Sequence, residues 1–440
     1  MSGAPAAIAA FGAMFLLMQF RVPVGVAMAV VGVAGFGLAI GWSPAFSLMA
    51  QSPIRYATDE TMGLVPMFIL MGAFAVGGGL GRELFNASNS MIGHRRGGLA
   101  MATIWASAGF AAISGSAVAS AATMARIALP EMKRLRYDGG FACATVAVGG
   151  TLGIMIPPSV VFALYGIMVE QDIAKLFIAG IVPGILAVIG HLVAIRWIVW
   201  RNPEKVTPAE RHSWPEAFEA LKRIWAVVAL LLFVLGGMYG GIFTATEAAS
   251  MGAGGALLIG LARRKLSFGG IKEALTSSAR TTGAIFIVII GAVLFQQFLA
   301  VTRAPQEISE WVATLPFHRY VILAIILMMY LILGAIMDEI AMILLTVPIV
   351  YPIIVTLGFD PIWFGVILVM TVELGLIMPP IAMNLFVLHN IAKEVPLISI
   401  YRAVIPFIVV DIMRLIVLCA FPALSTWLPS TMSSRATSNS

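Results

Sequence analysis

The sequence predicts an all-α polytopic membrane protein made of two inverted repeats, each with five spans and one re-entrant hairpin. Three observations predict this. Of 440 residues, 60% are hydrophobic and only 11% charged, with a mean hydropathy of +0.99, whereas a soluble domain carries roughly 25% charged residues. Two apolar stretches are broken by proline pairs, Pro157-Pro158 and Pro379-Pro380. The two halves of the chain also align at a fixed offset of 222 residues.

The elements follow in order. Residues 4–20 and 22–41 are apolar segments separated by Arg21 and Pro23, and the first is expected to be a span rather than a cleaved leader. A polar stretch, Ser43 to Asp59, precedes a glycine-rich span over 60–81, and the basic cluster His94-Arg95-Arg96 comes next. Residues 97–130 are interrupted by Ser114-Gly115-Ser116. Each flank reaches only about 21–26 Å as helix, short of the ~30 Å core, so the stretch predicts a re-entrant hairpin returning to Lys133, Arg134 and Arg136.

The broken segment 141–170 and a span at 175–200 complete the first repeat, 1–222. The loop 201–223 contains Trp214-Pro215 and regular apolar spacing that suggests a short interfacial helix. The second repeat, 223–440, has spans at 224–241 and 244–262, a short amphipathic piece, and a span at 281–302. Its hairpin is about 320–354, interrupted at Met337-Asp338-Glu339; its broken helix is 361–392, and a last span runs 397–422. The tail from Ser430 is polar and expected to be mobile.

At the 222-residue offset, Thr151-Leu-Gly-Ile-Met-Ile-Pro-Pro158 falls on Glu373-Leu-Gly-Leu-Ile-Met-Pro-Pro380. Tyr137-Asp138 falls on Phe359-Asp360, and Ser116 on Asp338. The first hairpin is flanked by five basic residues, Arg95, Arg96, Lys133, Arg134 and Arg136. The second has Arg303 and Arg319, offset by Glu307 and Glu310. By the positive-inside rule the first hairpin opens to the cytoplasm and the second outward, and an odd number of spans per repeat requires that inversion. Both termini then lie outside. The net charge of +6 is therefore topology rather than nucleic-acid affinity. Inverted repeats with helices broken at mid-membrane are the mark of secondary transporters.

At each hairpin tip and each proline pair one half-helix ends and another starts. Ends leave carbonyls that suit Na⁺, and starts leave N–H groups that suit an anion. The candidate Na⁺ cages are Ser114, Gly153, Ile156 and Pro158 in the first half, and Gly334, Gly375, Met378 and Ile381 in the second, acting mostly through backbone carbonyls. The alternative is a pair of packed proline kinks. Candidate substrate contacts are Ser116, Thr151, Asp338, Glu373 and Asn384. Asp338 and Ser116 serve either substrate or the cap of the following half-helix. Glu373 either binds a cation or pairs with a buried base.

Other features read as structural. Thr244-x-x-Glu247 fits a capping box. His191 is a lone histidine expected to be packed, and Gly77-Gly-Gly-Leu-Gly81 lacks the strand that a dinucleotide loop needs. Five histidines and two apolar cysteines, Cys143 and Cys419, supply no disulfide framework, no zinc spacing and no catalytic nucleophile. No metal other than Na⁺ and no organic cofactor is expected.

Several motifs together resemble the large membrane subunit of TRAP (tripartite ATP-independent periplasmic) transporters: Ser114-Gly-Ser116, Pro130-Glu-Met132, Tyr137-Asp138, Gly150-Thr-Leu-Gly-Ile-Met-Ile-Pro-Pro-Ser159, Thr244-Ala-Thr-Glu247, Met337-Asp338 and Leu374-Gly-Leu-Ile-Met-Pro-Pro-Ile-Ala-Met-Asn-Leu-Phe386. The resemblance spans essentially the whole chain. It implies Na⁺-coupled import of a small organic anion of the carboxylate class across the bacterial inner membrane. It also implies a periplasmic substrate-binding protein and a separate small four-helix membrane subunit as partners. An ion-transporter-type elevator fold follows, in which hairpins and broken helices slide against a scaffold within the lipid bilayer. One departure is Met378-Pro-Pro-Ile-Ala382, where the family usually has Thr-Pro-Pro-Val-Gly, which removes a hydroxyl from the second cage. The rival readings are a stand-alone Na⁺/dicarboxylate symporter of the same architecture and, from another class, a membrane-embedded enzyme.

Overall fold

A computed structural model describes residues 3–432, and all elements among them are helical. Residues 433–440, most of the expected mobile tail, lie outside the described residues; Ser430 itself ends a helix.

The first half begins with α1 (Gly3–Gln19) and α2 (Val24–Ala39), followed by α3 (Trp42–Ala57) and α4 (Leu64–Gly77). The polar stretch Ser43 to Asp59 is largely helix, and α3 with the α4 segment forms one pair bent by 63°. Next come α5 (Leu80–Ile92), then α6 (Gly98–Ser114) and α7 (Ala117–Arg134), the two arms of the first hairpin. The first broken helix is α8 (Gly139–Met155) and α9 (Val160–Met168), and α10 (Ile173–Arg201) closes this half. The connecting segment carries α11 (Trp214–Arg223), the expected amphipathic helix, started by a Ser213/Glu216 capping box with Pro215 in its first turn.

The second half comprises α12 (Trp225–Tyr239), α13 (Ala245–Ala262), α14 (Phe268–Thr302) and α15 (Ala304–Ala313). The hairpin arms are α16 (Arg319–Gly334) and α17 (Glu339–Thr356), the broken helix is α18 (Pro361–Gly375) and α19 (Met383–Ile391), and α20 (Leu397–Ala420) with α21 (Ala423–Ser430) ends the chain. Shifted by 222 residues, α6–α10 fall on α16–α20 with bounds agreeing within three residues. The same local chemistry starts matching helices. Asp138 accepts the Phe141 N–H at 2.8 Å to cap α8, and Asp360 accepts the Trp363 N–H at 2.8 Å to cap α18. The Thr244/Glu247 capping box forms as expected, with bonds of 2.8 and 3.2 Å. One expectation fails: the short amphipathic piece and the span at 281–302 are a single 35-residue helix, α14.

Among the described residues, six helices are long and apolar enough to cross a membrane, counting α8 with α9 as one, or seven if the bent pair is one span. The half-helices α8 and α18 are apolar all round and lie at the centre, with every residue from Gly140 to Met155 and from Trp363 to Gly375 buried. Around them α2 and α14 pack backbone to backbone: a Cβ on Gly25 would sit 2.8 Å from the Ile287 carbonyl oxygen, and one on Gly32 would sit 2.6 Å from Leu294. In lipid, where apolar burial gives helices little reason to associate, such close approach supplies the dispersion contact that holds them. At the basic end Arg263 grips the buried Glu83 with bonds of 2.6 and 2.8 Å, joined by Lys265.

Candidate functional site: two broken helices against two hairpin tips

Pro157 has no N–H to give the Gly153 carbonyl, and Pro158 has none for Ile154, so α8 stops at Met155. The chain passes a cis Pro157-Pro158 bond and restarts as α9, where Ser159 accepts the Phe162 N–H at 3.4 Å. The first hairpin tip lies directly on this break. Gly115 has a φ of +61°, and a Cβ there would lie 3.0 Å from the Pro158 carbonyl oxygen. A Cβ on Gly153 would come within 2.5 Å of the Ser116 carbonyl oxygen. Only glycine satisfies both places, one for its backbone angle and one for its closeness. Ser114 Oγ is 2.6 Å from Ser120 Oγ. The structure therefore brings Ser114, Ser116, Gly153 and Pro158 together, while the Ile156 side chain turns towards Gly184 of α10.

The second break is built from the same parts but closes differently. Pro379 and Pro380 deprive Gly375 and Leu376 of helical donors. Here the chain folds back, and Met378 N–H reaches the Gly375 carbonyl at 3.3 Å and Asn384 N–H the Leu376 carbonyl at 3.2 Å. Gly375 and Gly334 touch through backbone, since a Cβ on Gly375 would lie 2.8 Å from Gly334 Cα. Ile381 departs from the expected cage. Its residue is 42% exposed and its carbonyl accepts the Tyr401 hydroxyl at 3.3 Å, next to a 2.8 Å bond to Pro380. Pro157 and Pro158 are buried, whereas Pro379 and Pro380 are exposed.

Among the candidate substrate contacts, two are caps. Ser116 accepts the Ala119 N–H at 3.4 Å, and the exposed Asp338 accepts those of Ile340 and Ala341 at 3.2 and 3.4 Å. Thr151 and Glu373, repeat mates, meet in the fully buried core with a 3.0 Å hydrogen bond that Thr151 donates. Asn384 is buried, donates to the Ala147 carbonyl at 3.4 Å, and leaves its Oδ1 unpartnered.

Glu373 takes the base-pairing alternative. Arg414 Nη2 stands 2.6 Å from its carboxylate and 3.2 Å from Asp411. His191 is fully buried, packed as expected, and its Nε2 lies 3.0 Å from Asp411, a partner the sequence did not point to. Asp411 and Arg414 went unread. Their signal was opposite charge one turn apart inside the apolar segment 397–422. Glu339 was also missed: it is 6% exposed and its Oε2 has no partner. Chemically, the centre offers carbonyl acceptors where α8 ends and N–H donors where α7, α9 and α17 begin. No His/Cys/Asp/Glu cluster suited to a metal occurs among the described residues.

Over residues 11–424 the chain matches the family described as "Tripartite ATP-independent periplasmic transporter, DctM component". It is 37% identical over 403 residues to the C4-dicarboxylate TRAP transporter large permease protein DctM of Pseudomonas aeruginosa, covering 89% of this chain and 93% of that protein. It is 30% identical to the sialic acid TRAP transporter large permease protein SiaM of Vibrio cholerae, covering 89% and 95%. It is 32% identical to the isethionate TRAP transporter permease protein DctMQ of Oleidesulfovibrio alaskensis, covering 94% of this chain and 65% of that longer one. Among solved structures the fold resembles the Alcanivorax borkumensis transporter YdaH, with a TM-score of 0.61, 12% identity and coverage of 87% and 89%. It also resembles Neisseria gonorrhoeae MtrF, with a TM-score of 0.57, 13% identity and coverage of 86% and 84%. The chain belongs to the DctM family, the large permease subunits of tripartite ATP-independent periplasmic transporters, and is a membrane transporter component rather than an enzyme.

Proposed function

We propose that this chain imports a small organic anion by Na⁺ symport, receiving it from a periplasmic substrate-binding protein and working with a small membrane subunit. One observation carries the reading: each hairpin tip lies against a Pro-Pro break, Gly115 against Pro158 and Gly334 against Gly375. Such a pairing gathers half-helix ends of opposite polarity at one level. Carbonyls without donors suit Na⁺, and the starts of α7 and α17 suit a carboxylate. The first cage fits best, because Gly153 and Ile154 face prolines and, among the described residues, no backbone fold-back bond replaces the missing donors. In the second, Tyr401 already occupies the Ile381 carbonyl, so Ile381 contributes to a cage only after that bond opens.

In this reading the halves are inverted, both termini are periplasmic, and α6–α9 with α16–α19 move as an elevator against a frame that includes α2, α4, α13 and α14. Packing supports that division. α2 is fastened to α14 through Gly25 and Gly32, whereas Thr151 and Glu373 tie the two broken helices to each other. The test is reconstitution of the three components in proteoliposomes. Accumulation should follow an imposed Na⁺ gradient, and indifference to that gradient refutes the coupling. Uptake by this chain alone would instead support the stand-alone symporter.

A further inference from the structure

A cavity of about 340 Å³ separates the first hairpin tip from α14, within the usual range of about 300–1,000 Å³ for small-ligand sites. The tip contributes Ser114 and Ser116, and α14 contributes Glu273, Ser277, Ser278 and Thr281. Glu273, Ser277 and Thr281 recur at intervals of about one helical turn and Ser278 lies beside Ser277, so the four fall on one broad face. Ser278 is 6% exposed, and its hydroxyl has no hydrogen-bond partner. A buried hydroxyl is disfavoured unless something in the cavity pairs with it.

α4 closes the cavity with an apolar wall that includes Ile69, Ala73 and Val76, and the other two walls have opposite chemistry. On the tip side α7 begins: Ser116 satisfies the Ala119 N–H, while the amides of Ala117 and Val118 precede the first helical bond. This positive helix end suits an anionic head. On the α14 side Ser277 donates to the Ala274 carbonyl at 3.1 Å and Thr281 to the Ser277 carbonyl at 3.0 Å. Both hydroxyls therefore present lone pairs to the cavity, and the Glu273 carboxylate only accepts. No Lys or Arg lines the space. A second carboxylate on the ligand would face Glu273 without a counter-charge. Hydroxyl groups would find acceptors.

We propose that this cavity binds a hydroxylated organic monoanion, with its carboxylate or sulfonate at the start of α7 and its hydroxyls along the Glu273–Thr281 face of α14. The proposal rests on the reading of the chain as an organic-anion importer and narrows the class of substrate. The test uses the complex of this chain with its small subunit in nanodiscs, with Cys143 and Cys419 replaced by alanine and Ser278→Cys introduced. Labelling by an anionic methanethiosulfonate is timed with and without gluconate, isethionate or succinate. The thiol should label. At equal concentrations, gluconate or isethionate at about four times its dissociation constant should slow the reaction about fivefold, and succinate less than about twofold. Thr281→Cys, one turn along the same face, serves if the first variant fails to assemble. Failure of both thiols to label, protection by succinate as strong as by the hydroxylated anions, or protection by none of the three overturns the proposal. Uptake by the complete three-component system separates the two readings. Protection without Na⁺ dependence refutes the coupling alone, and Na⁺-driven uptake without protection refutes this site alone.

Discussion

Replacing Arg414 by methionine isolates the charge at the centre of the molecule. The guanidinium is 2.6 Å from Glu373 and 3.2 Å from Asp411, and the three side chains are 4%, 0% and 0% exposed. Methionine retains much of the apolar stem. Both carboxylates then remain in the core, with Thr151 and His191 as their remaining hydrogen-bond partners among the described residues. Breaking a buried pair this way costs about 3–5 kcal/mol, because an uncompensated charge is left behind. Glu373→Gln removes a carboxylate yet leaves Arg414 its contact with Asp411, so we expect a smaller loss of about 1–3 kcal/mol. The double variant should be more stable than the sum of the single losses allows, with a coupling of at least about 1 kcal/mol. The assay is unfolding of the purified protein in mixed micelles titrated with a denaturing detergent, for all three variants. If Arg414→Met unfolds within about 0.5 kcal/mol of the parent, or if the losses simply add, the cluster carries no net energy and Glu373 is held by Thr151 alone.

Three further predictions follow from the tips and caps. Gly115→Ala should lower stability by about 1–2 kcal/mol and impair uptake, because φ is +61° and the new Cβ would lie 3.0 Å from the Pro158 oxygen; Gly63→Ala, with no atom within 4 Å of its Cβ, should be silent. Asp338→Ala should abolish Na⁺-driven uptake, whereas Asp338→Asn keeps a side chain able to accept the Ile340 and Ala341 N–H groups. Full uptake by the asparagine variant would assign Asp338 to capping, and full uptake by the alanine variant would remove it from transport. Thr244→Ala should cost about 1 kcal/mol in the same unfolding titration through loss of the α13 capping box, with transport retained.

Much of the centre was legible because it is local. Proline removes a donor wherever it stands, so Pro157-Pro158 and Pro379-Pro380 announced the breaks, and the tips at Ser114–Ser116 and Met337–Asp338 followed from half-length flanks. The caps by Ser116, Asp338 and Thr244 needed only neighbours three residues away. Reading failed where a polar residue had two possible meanings. The Glu273, Ser277, Ser278 and Thr281 series straddles the expected boundary between a short amphipathic piece and a span at 281–302, but it is one face of a continuous helix turned to a cavity. Averaged hydropathy does not distinguish an end from a stripe.

The sequence by itself determined the membrane class, the repeat with its 222-residue offset, the two hairpins and the two breaks, since these depend on hydropathy, length and backbone donors. The tertiary structure alone decided that Glu373, Arg414, Asp411 and His191 form one buried network, and that the two breaks close differently. Such facts depend on which helix faces which across hundreds of residues. A carboxylate in an apolar helix must find a partner, but its own neighbours do not say where the partner lies.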